Sequence, residues 1–306
     1  MRVALISCNN LPEWEVDDQP FRAALAARGV EVCTPAWDDP AQDWAGYDAC
    51  VVRTTWDYWD RGPEFLAWVD RVAHLPRLFN PGPVLRWNLD KRYLRALADA
   101  GIPIAPTVWL EPGDTVDVAA LMAARGWQRG FFKPVFGACA AGTLRFDADA
   151  DGLKAAQTHI DDHLAREAMM LQPYLPQVET FGEVSALLFD GVLSHGVRKI
   201  PVPGDYRVQD DFGATDEPYA WAGDELALAQ RTVDVATTLL GLDAPLLYAR
   251  ADFLRGEDGA LLLTELELVE PSLFFRHDAG AADRLADALM ARLSTSASSE
   301  VVGERG

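Results

Sequence analysis

The sequence predicts a mixed α/β protein in which a small parallel sheet precedes two lobes made of both strands and helices. Two observations support this class. Near the N-terminus, apolar strand-like segments alternate with helical segments, which is the pattern of a parallel sheet with crossover helices. The chain also has 306 residues and a hydrophobic content of 49%, enough to bury a large core that divides into two or three lobes.

The N-terminal segment contains the predicted parallel sheet. Apolar residues predict strands at 2–7, 30–34 and 48–53, and a helix that Asp18 caps and Gly29 ends. Functional side chains in such sheets usually follow the carboxyl ends of the strands. Asp57 and Tyr58 stand at such a place and are candidate substrate contacts, although Asp57 is equally suited to capping a turn.

The rest of the chain predicts two further lobes. Asn88 is predicted to cap a helix that extends to Gly101, and the extended segment 102–110 then opens the second lobe. The other predicted elements are strands at 130–135, 144–146, 168–173, 184–189 and 192–199, and helices at 150–166, 224–241 and 281–293. Residues from 294 onward are predicted to form a frayed tail.

The charge balance excludes two classes of partner. The 27 basic and 47 acidic residues give a net charge of -20, which argues against nucleic acid and anionic membranes, since both need a basic surface. The four cysteines are scattered and indicate a reducing compartment. Because the sequence also shows neither a signal peptide nor an apolar run of membrane-spanning length, we expect a soluble cytoplasmic protein.

A β-hairpin near the C-terminus brings charged residues together. Asp258-Gly259 predicts a two-residue type I′ turn, in which both central residues need positive φ. That turn would set one register along the whole hairpin, with Asp252 opposite Glu265 and Arg250 opposite Glu267. Because side chains alternate along a strand, these four would share one face.

Two opposed carboxylates on that face require compensation. Like charges in direct opposition destabilise a sheet unless a cation lies between them or water covers them. Ligands that are all oxygen, without a nearby His or Cys, favour Mg²⁺ or Mn²⁺. The alternative is a solvated acidic face on which Arg250 forms a surface salt bridge, and the hairpin alone leaves both possibilities open.

Two lysines are candidates for binding phosphate. Magnesium held by few carboxylates usually also binds phosphate oxygens, which need cationic partners. Lys91 lies near a predicted helix start, and Lys133 ends a strand before the small-residue loop 137–143, whose backbone N–H groups could approach phosphate closely. The motifs G-x-x-x-x-G-K-[ST] and G-x-G-x-x-G are absent at the expected places, which argues against a P-loop enzyme and a dinucleotide-binding domain.

The order of these motifs resembles the ATP-grasp superfamily. "FFKPVFGACAAGT", "LQPYLP" and "YARADF…LTELELVEPS" are similar to segments of prokaryotic glutathione synthetase and D-alanine–D-alanine ligase. The likeness covers about residues 80 to 275 and implies the ATP-grasp fold, in which two α+β lobes hold ATP between them. The implied domains are an N-terminal βαβ domain at 1–88, a central lid lobe at 89–171, a C-terminal lobe with the metal site at 172–293 and a flexible tail at 294–306.

The resemblance also implies roles for the matching residues. Lys91 and Lys133 would bind the α- and β-phosphates of ATP beside a loop with Gly137, Ala138, Ala141 and Gly142. Gln172, Tyr174 and Leu175 would line the adenine hinge, with Glu179 or Glu183 on the ribose. Asp252, Glu265 and Glu267 would ligate Mg²⁺ or Mn²⁺, although relatives usually have Asn where Glu267 stands. Arg250 would stabilise charge on an acyl phosphate.

Enzymes of this kind use ATP to phosphorylate a carboxylate, which an amine then attacks. Lys199 and Arg207 are candidate catalytic and carboxylate-binding residues, since they lie in the segment 194–213 on the expected substrate side. "RTTWDYW" and "VRKIPVPGDYRVQ" are most similar to the branch of the cycloserine-forming ligase, in which the attacking nitrogen belongs to the activated molecule itself. The expected partner is a small amino-acid-like substrate. The protein could also form a homodimer, since relatives are often dimers.

Several alternatives remain open from the sequence. The product could be a peptide rather than a ring, and the protein could be a phosphotransferase without a joining step or a non-catalytic nucleotide-binding protein. Cys139 could be a nucleophile and His195 a base. His159 and His163 have the spacing of a metal-binding pair on a helix, although an exposed polar face is the more frequent outcome.

Overall fold

The computed structural model describes the backbone of residues 1–11, 16–137 and 140–303. Its first sheet is parallel, with strand order β2-β1-β3-β4. The strands are β1 (Arg2–Ser7), β2 (Glu31–Cys33), β3 (Ala49–Thr54) and β4 (Leu78–Phe79), and the helices of this region are α1 (Gln19–Ala27), α2 (Gly62–Val72), α3 (Gly82–Asn88) and α4 (Tyr93–Asp99). The predicted parallel sheet at the N-terminus is therefore confirmed.

The second sheet is antiparallel, with order β5-β8-β6-β7. It contains β5 (Val108–Leu110), β6 (Arg129–Pro134), β7 (Leu144–Asp147) and β8 (Met169–Pro173), and its helices are α5 (Val118–Arg125) and α6 (Ala150–Leu164). Apolar residues of these helices pack with the buried residues of the sheet into a separate core. The predicted boundary at 171/172 falls inside β8, so the division into lobes stays a prediction.

The third sheet carries most of the predicted site. It is antiparallel, with order β11-β10-β9-β12-β13. It contains β9 (Glu183–Phe189), β10 (Val192–Ile200), β11 (Thr215–Pro218), β12 (Tyr248–Arg255) and β13 (Leu261–Glu267), accompanied by α7 (Gln177–Thr180), α8 (Gly223–Leu239) and α9 (Ala281–Gly303). One core joins this sheet to the N-terminal sheet, α1 and α9, and another joins it to α4 and α8.

The helix predicted from Asn88 to Gly101 is wrong at its start. Asn88 ends α3, and α4 begins only at Tyr93. The Asn88 amide is used in tertiary contacts instead: its Nδ2 donates to the Leu266 carbonyl at 2.6 Å and its Oδ1 accepts from the Leu268 amide at 2.7 Å. These bonds satisfy backbone groups at the edge strand β13, which a cap position would have left without partners.

The closing helix is longer than predicted. It was expected to end at 293, but α9 extends to Gly303. The Ser294 hydroxyl donates to the Met290 carbonyl one turn earlier at 2.9 Å, so the first residue of the predicted tail is still bonded into the helix.

The hairpin has the predicted register at the charged residues but not at its turn. Gly259 has a φ of 81°, whereas Asp258 does not have positive φ, so a type I′ turn is excluded. The Gly256 amide donates to the Ala260 carbonyl at 2.8 Å, which closes a three-residue loop. Arg255 therefore faces Leu261, one residue away from the predicted pairing.

A β-bulge restores the register before the acids. Thr264 is an extra residue on β13, so that Asp252 faces Glu265 and Arg250 faces Glu267, as predicted. The Thr264 hydroxyl donates to the Asp252 carbonyl at 3.0 Å and to Glu183 Oε2 at 3.2 Å. The predicted register was right for these pairs because the three-residue loop and the bulge offset each other.

Candidate active site

A cleft of about 780 Å³ is lined by residues of the second and third sheets and of the loop after β3. The structure brings most of the predicted site residues together in this cleft: Tyr58, Lys91, Lys133, Gly137, Ala141, Gln172, Tyr174, Leu175, Glu183, Lys199, Arg207, Arg250, Asp252, Glu265 and Glu267. The hairpin carboxylates are therefore compensated by basic side chains within one cleft.

Some predicted residues are not part of the cleft lining. Asp57 accepts hydrogen bonds from Trp37 Nε1 at 2.6 Å and Arg61 Nη1 at 3.4 Å, so its carboxylate is held away from the cleft and caps no turn. Glu179 accepts from the Tyr174 hydroxyl at 2.5 Å and Arg145 Nη1 at 3.0 Å, which leaves Glu183 as the acid of that pair inside the cleft. Gly142 lies outside the lining, and Ala138 and Cys139 fall outside the described residues.

Asp252 is the most buried of the hairpin carboxylates, with 2% of its surface exposed. It accepts from Arg250 Nη2 at 3.0 Å and from the Ser185 hydroxyl at 2.6 Å, and Lys199 Nζ lies 3.4 Å away. Burial alone would raise the pKa of Asp252, but the charges of Arg250 and Lys199 outweigh it and lower that pKa to about 2. Asp252 is therefore ionised, and the alternative of a solvated acidic face is wrong.

Glu265 and Glu267 differ in their balance of burial and charge. Lys91 Nζ lies 3.0 Å from Glu265 Oε1, and although burial acts in the opposite direction, Lys91 and Lys133 lower the pKa of Glu265. Glu267 contacts Arg250, but burial and the neighbouring acids dominate and raise the pKa of Glu267 to about 8. Glu267 is thus the hairpin acid that is most easily protonated.

The three hairpin carboxylates have the chemistry of a hard-cation site but do not form a ready-made cage. All their donors are oxygen, as Mg²⁺ prefers. Each carboxylate is turned toward a basic side chain, and within the described ranges no group of three acid, imidazole or thiol side chains is arranged around a common point. The donor set therefore fits the ion only if Lys91 and Arg250 give up some of these contacts.

The two predicted phosphate lysines converge on the same part of the cleft. Lys133 Nζ donates to the Thr264 carbonyl at 3.0 Å, at the bulge, and Lys91 Nζ donates to the Gly137 carbonyl at 2.6 Å. Burial lowers the pKa of Lys133 to about 8, despite the opposing charge of Glu265. An anionic ligand would favour the charged form of this lysine.

Lys199 and Arg207 occupy different settings. Lys199 is buried, with its Nζ 2.5 Å from Glu183 Oε1, so it belongs to the charge network of Asp252. Arg207 lines the more open side of the cleft, stacks on Phe212 at 3.9 Å and pairs with Asp205 at 2.7 Å. The Arg207 side chain holds the pKa of Asp205 well below its usual range.

Several cleft residues were missed by the sequence analysis. They are Trp56, Trp59, Tyr206, Thr264, Glu270, Ser272, Phe274 and Arg276. Ser185 was also missed; it contacts Asp252 but does not line the cleft. Ser185 reaches Asp252 only because β9 pairs with β12, a pairing that has no local sequence signal. Glu270 had a signal, since it is the next acid after Glu267 in the hairpin segment.

The histidine alternatives find no support. His195 Nε2 bonds to the Leu273 carbonyl at 3.0 Å, and His195 does not line the cleft. The rings of His159 and His163 lie 4.3 Å apart, but His159 contacts the Gly142 carbonyl and His163 contacts Glu167, and neither belongs to a metal-holding group in the described part of the chain.

Comparison with known proteins gives a consistent result. Residues 3–80 match the family model described as "D-cycloserine synthetase DcsG, N-terminal domain". The cycloserine biosynthesis protein DcsG of Streptomyces lavendulae is 36% identical over 295 residues, which cover 91% of this chain and 94% of that protein. The crystal structure of D-cycloserine synthetase DcsG superposes with a TM-score of 0.86 at 33% identity and covers 96% of this chain and 100% of its own.

More distant solved structures show the same fold. The D-alanine–D-alanine ligase of Bacillus anthracis, complexed with ATP, has a TM-score of 0.67 at 14% identity and covers 98% of this chain and 99% of its own. The ATP-grasp ligase PsnB, complexed with a precursor variant, Mg and ADP, has a TM-score of 0.65 at 19% identity. The match covers 95% of this chain and 98% of the PsnB chain.

Fold, cleft and relatives together define the class: this is an ATP-grasp enzyme, a carboxylate–amine ligase. Within that class, the chain belongs to the family of the cycloserine biosynthesis protein DcsG. The predicted superfamily and its cycloserine-forming branch are thereby confirmed. Across the described residues, no helix combines the length and apolar character that crossing a membrane requires.

Proposed function

We propose that this protein uses ATP and Mg²⁺ to close a ring in a small amino acid, by joining its carboxylate to a nitrogen of the same molecule. The observation that carries the proposal is the convergence of Lys91, Lys133 and the acids of β12 and β13 on one cleft. The family supports the reaction class, since its named member is a D-cycloserine synthetase.

The cleft offers a place for each part of the nucleotide. Gln172, Tyr174 and Leu175 would line the adenine, and Glu183 would meet the ribose. Lys91 and Lys133 would bind the phosphates together with the loop that begins at Gly137. Asp252, Glu265 and Glu267 would hold a divalent ion, which when bound would neutralise part of the phosphate charge.

The chain's own residues then position the substrate. A carboxylate oxygen of the substrate attacks the terminal phosphorus of ATP, and ADP leaves. The substrate nitrogen attacks the resulting acyl carbon, loses a proton and displaces phosphate. Arg250, with Lys199 near it, would stabilise the negative charge that develops at the acyl group, and Arg207 would attract the carboxylate at the open side of the cleft.

The name of the relative narrows the substrate class. Cycloserine opened at its ring amide is a serine whose side-chain oxygen carries a nitrogen, so we infer a substrate of this type.

We also infer a cytoplasmic location, since Cys8, Cys33 and Cys50 are free thiols as expected in a reducing compartment. The oligomeric state stays a prediction.

The test is a turnover assay with Mg²⁺ and ATP on serine derivatives that carry nitrogen on the side-chain oxygen, with plain amino acids and dipeptide precursors for comparison. We expect ADP, inorganic phosphate and a cyclic product identified by mass spectrometry, with no turnover when Mg²⁺ is omitted. A stable phosphorylated product without phosphate release would indicate a phosphotransferase, and a dipeptide product would indicate intermolecular joining.

A further inference from the structure

The carboxylates of the cleft are not equally compensated. Those buried or half-buried in its wall are Glu183, Asp252, Glu265, Glu267 and Glu270. The first four each form an ion pair with a lysine or arginine. Glu270 is 8% exposed, and among the residues that the structure describes it has no lysine or arginine within ion-pair distance. Its hydrogen-bonding partner is the hydroxyl of Tyr58.

The position of Glu270 is built by contacts from the N-terminal domain. Trp56 Nε1 donates to the Glu270 carbonyl at 3.1 Å, and Arg53 Nη2 donates to the Pro271 carbonyl at 2.8 Å. Tyr58 is buried and stacks on Phe65 with ring centroids 4.7 Å apart. The carboxylate is therefore held against the loop after β3 rather than left to rotate in a flexible segment.

The surroundings of Glu270 favour a cationic ligand. Burial raises the pKa of Glu270 and the charge of Glu265 adds to this, while the Tyr58 hydrogen bond and the charge of Arg250 act against it. An ammonium group beside Glu270 would supply the direct ion pair that no described lysine or arginine makes with it. Trp56 and Trp59 also line the cleft, and aromatic faces attract cations.

Glu270 also has the right relation to the reacting groups. It follows Glu267 by three residues, and its charge acts on Glu267. In an α-amino acid the ammonium group and the carboxylate are attached to the same carbon. An ammonium site must therefore border the place where the carboxylate is activated, and Glu270 lines the same cleft as Arg250, which is proposed to act there.

We propose that Glu270, oriented by Tyr58, binds the α-ammonium group of the substrate and selects amino acids over analogues that lack the amine. This inference rests on the proposed function, because it assumes that the cleft takes an amino-acid-like substrate. It assigns Glu270 to recognition of the substrate rather than to binding of the nucleotide or metal.

The test is a binding titration that requires no turnover. D-cycloserine and its des-amino analogue isoxazolidin-3-one are titrated into the protein with Mg²⁺ and ADP, near neutral pH. We expect the wild-type protein to bind D-cycloserine more tightly than isoxazolidin-3-one. Glu270→Gln should weaken the affinity for D-cycloserine about 10- to 100-fold and leave the affinity for isoxazolidin-3-one unchanged. Gln keeps the shape and can still accept from Tyr58, so the affinity for ADP should stay the same.

A matched variant controls for the loss of one negative charge. Glu31→Gln makes the same change on the exposed strand β2 and should leave both affinities unchanged. Equal affinity of the wild-type protein for the two compounds, an unaltered D-cycloserine affinity in Glu270→Gln, or no binding of D-cycloserine by protein that binds ADP would overturn the proposal. Failure of the proposed function would instead appear as absent phosphate release in the turnover assay.

Discussion

Lys91 and Glu265 are paired across the cleft, with Nζ 3.0 Å from Oε1. The pair joins a lysine expected to bind phosphate to a carboxylate expected to bind a divalent ion. In the proposed reaction, Lys91 would leave Glu265 to bind a phosphate of ATP, and Glu265 would leave Lys91 to bind the divalent ion. Such a pair compensates a buried lysine and a partly exposed carboxylate until ligands of matching charge replace them.

Glu265→Gln should abolish most of the turnover. The change keeps the size of the side chain but removes a charge from the proposed metal site, and we expect the rate to fall by about 10²–10³-fold, comparable to the loss of one preorganised electrostatic group. Phosphate release checks the rate, and circular dichroism checks the fold. Glu31→Gln, on the surface, is the control and should retain the wild-type rate. A near-normal rate in Glu265→Gln would remove Glu265 from the metal site.

The affinity for ATP should decrease as the pH rises through about 8. The pKa of Lys133 is lowered to about 8 by burial, so the lysine loses its charge above that pH unless phosphate binds. Bound phosphate would raise the pKa of Lys133, and binding above pH 8 should therefore take up protons. Calorimetry in buffers of different ionisation enthalpy measures this uptake. Lys133→Arg keeps its charge and should remove the dependence, whereas an equally steep dependence in that variant would contradict the assignment.

Arg53→Met should destabilise the protein strongly. Arg53 is fully buried, and its Nε donates to Asp18 Oδ2 at 2.8 Å, so the substitution leaves a buried carboxylate without its partner. We expect a loss of about 3–5 kcal/mol in the free energy of unfolding, measured by urea denaturation. Arg86→Met breaks an exposed pair with Asp70 and should cost at most about 1 kcal/mol. Equal effects of the two variants would show that burial does not govern the Arg53 pair.

Gly259→Ala should reduce stability without reducing activity. Gly259 has a φ of 81° and no atom stands within 4 Å of the added Cβ, so the cost is backbone strain alone, about 1–2 kcal/mol. Glu257→Ala in the same loop is the control and should be nearly neutral. Because the bulge at Thr264 lies between the turn and the acids, turnover should be unchanged. A large loss of turnover in Gly259→Ala would mean that the turn, rather than the bulge, sets the register of Asp252 and Glu265.

The hairpin shows what local pattern could and could not predict. The alternation of side chains along a strand was enough to place Arg250, Asp252, Glu265 and Glu267 on one face. The turn type was wrong because Gly259 suits either a two-residue or a three-residue loop. The bulge was not predictable, since Thr264 is held there by contacts with Glu183 and Lys133, which lie far away in the sequence.

The choice among several acids likewise depended on tertiary contacts. Asp57 and Glu179 have the same chemistry as residues inside the cleft, but neither lines it. Trp37 and Arg61 bind the Asp57 carboxylate, and Tyr174 and Arg145 bind that of Glu179. Asn88 had the local signature of a helix cap, yet bonds to β13 used its amide instead.

The sequence by itself determined the class of the protein, the order of its motifs and the shared face of the hairpin acids, because these depend on the spacing of residues along the chain. Only the tertiary structure decided which carboxylates enter the cleft, which basic side chain compensates each of them, and that Glu270 has no such partner among the described residues. The reason is physical: burial and charge pairing arise between residues from different elements, and no local pattern encodes their distances.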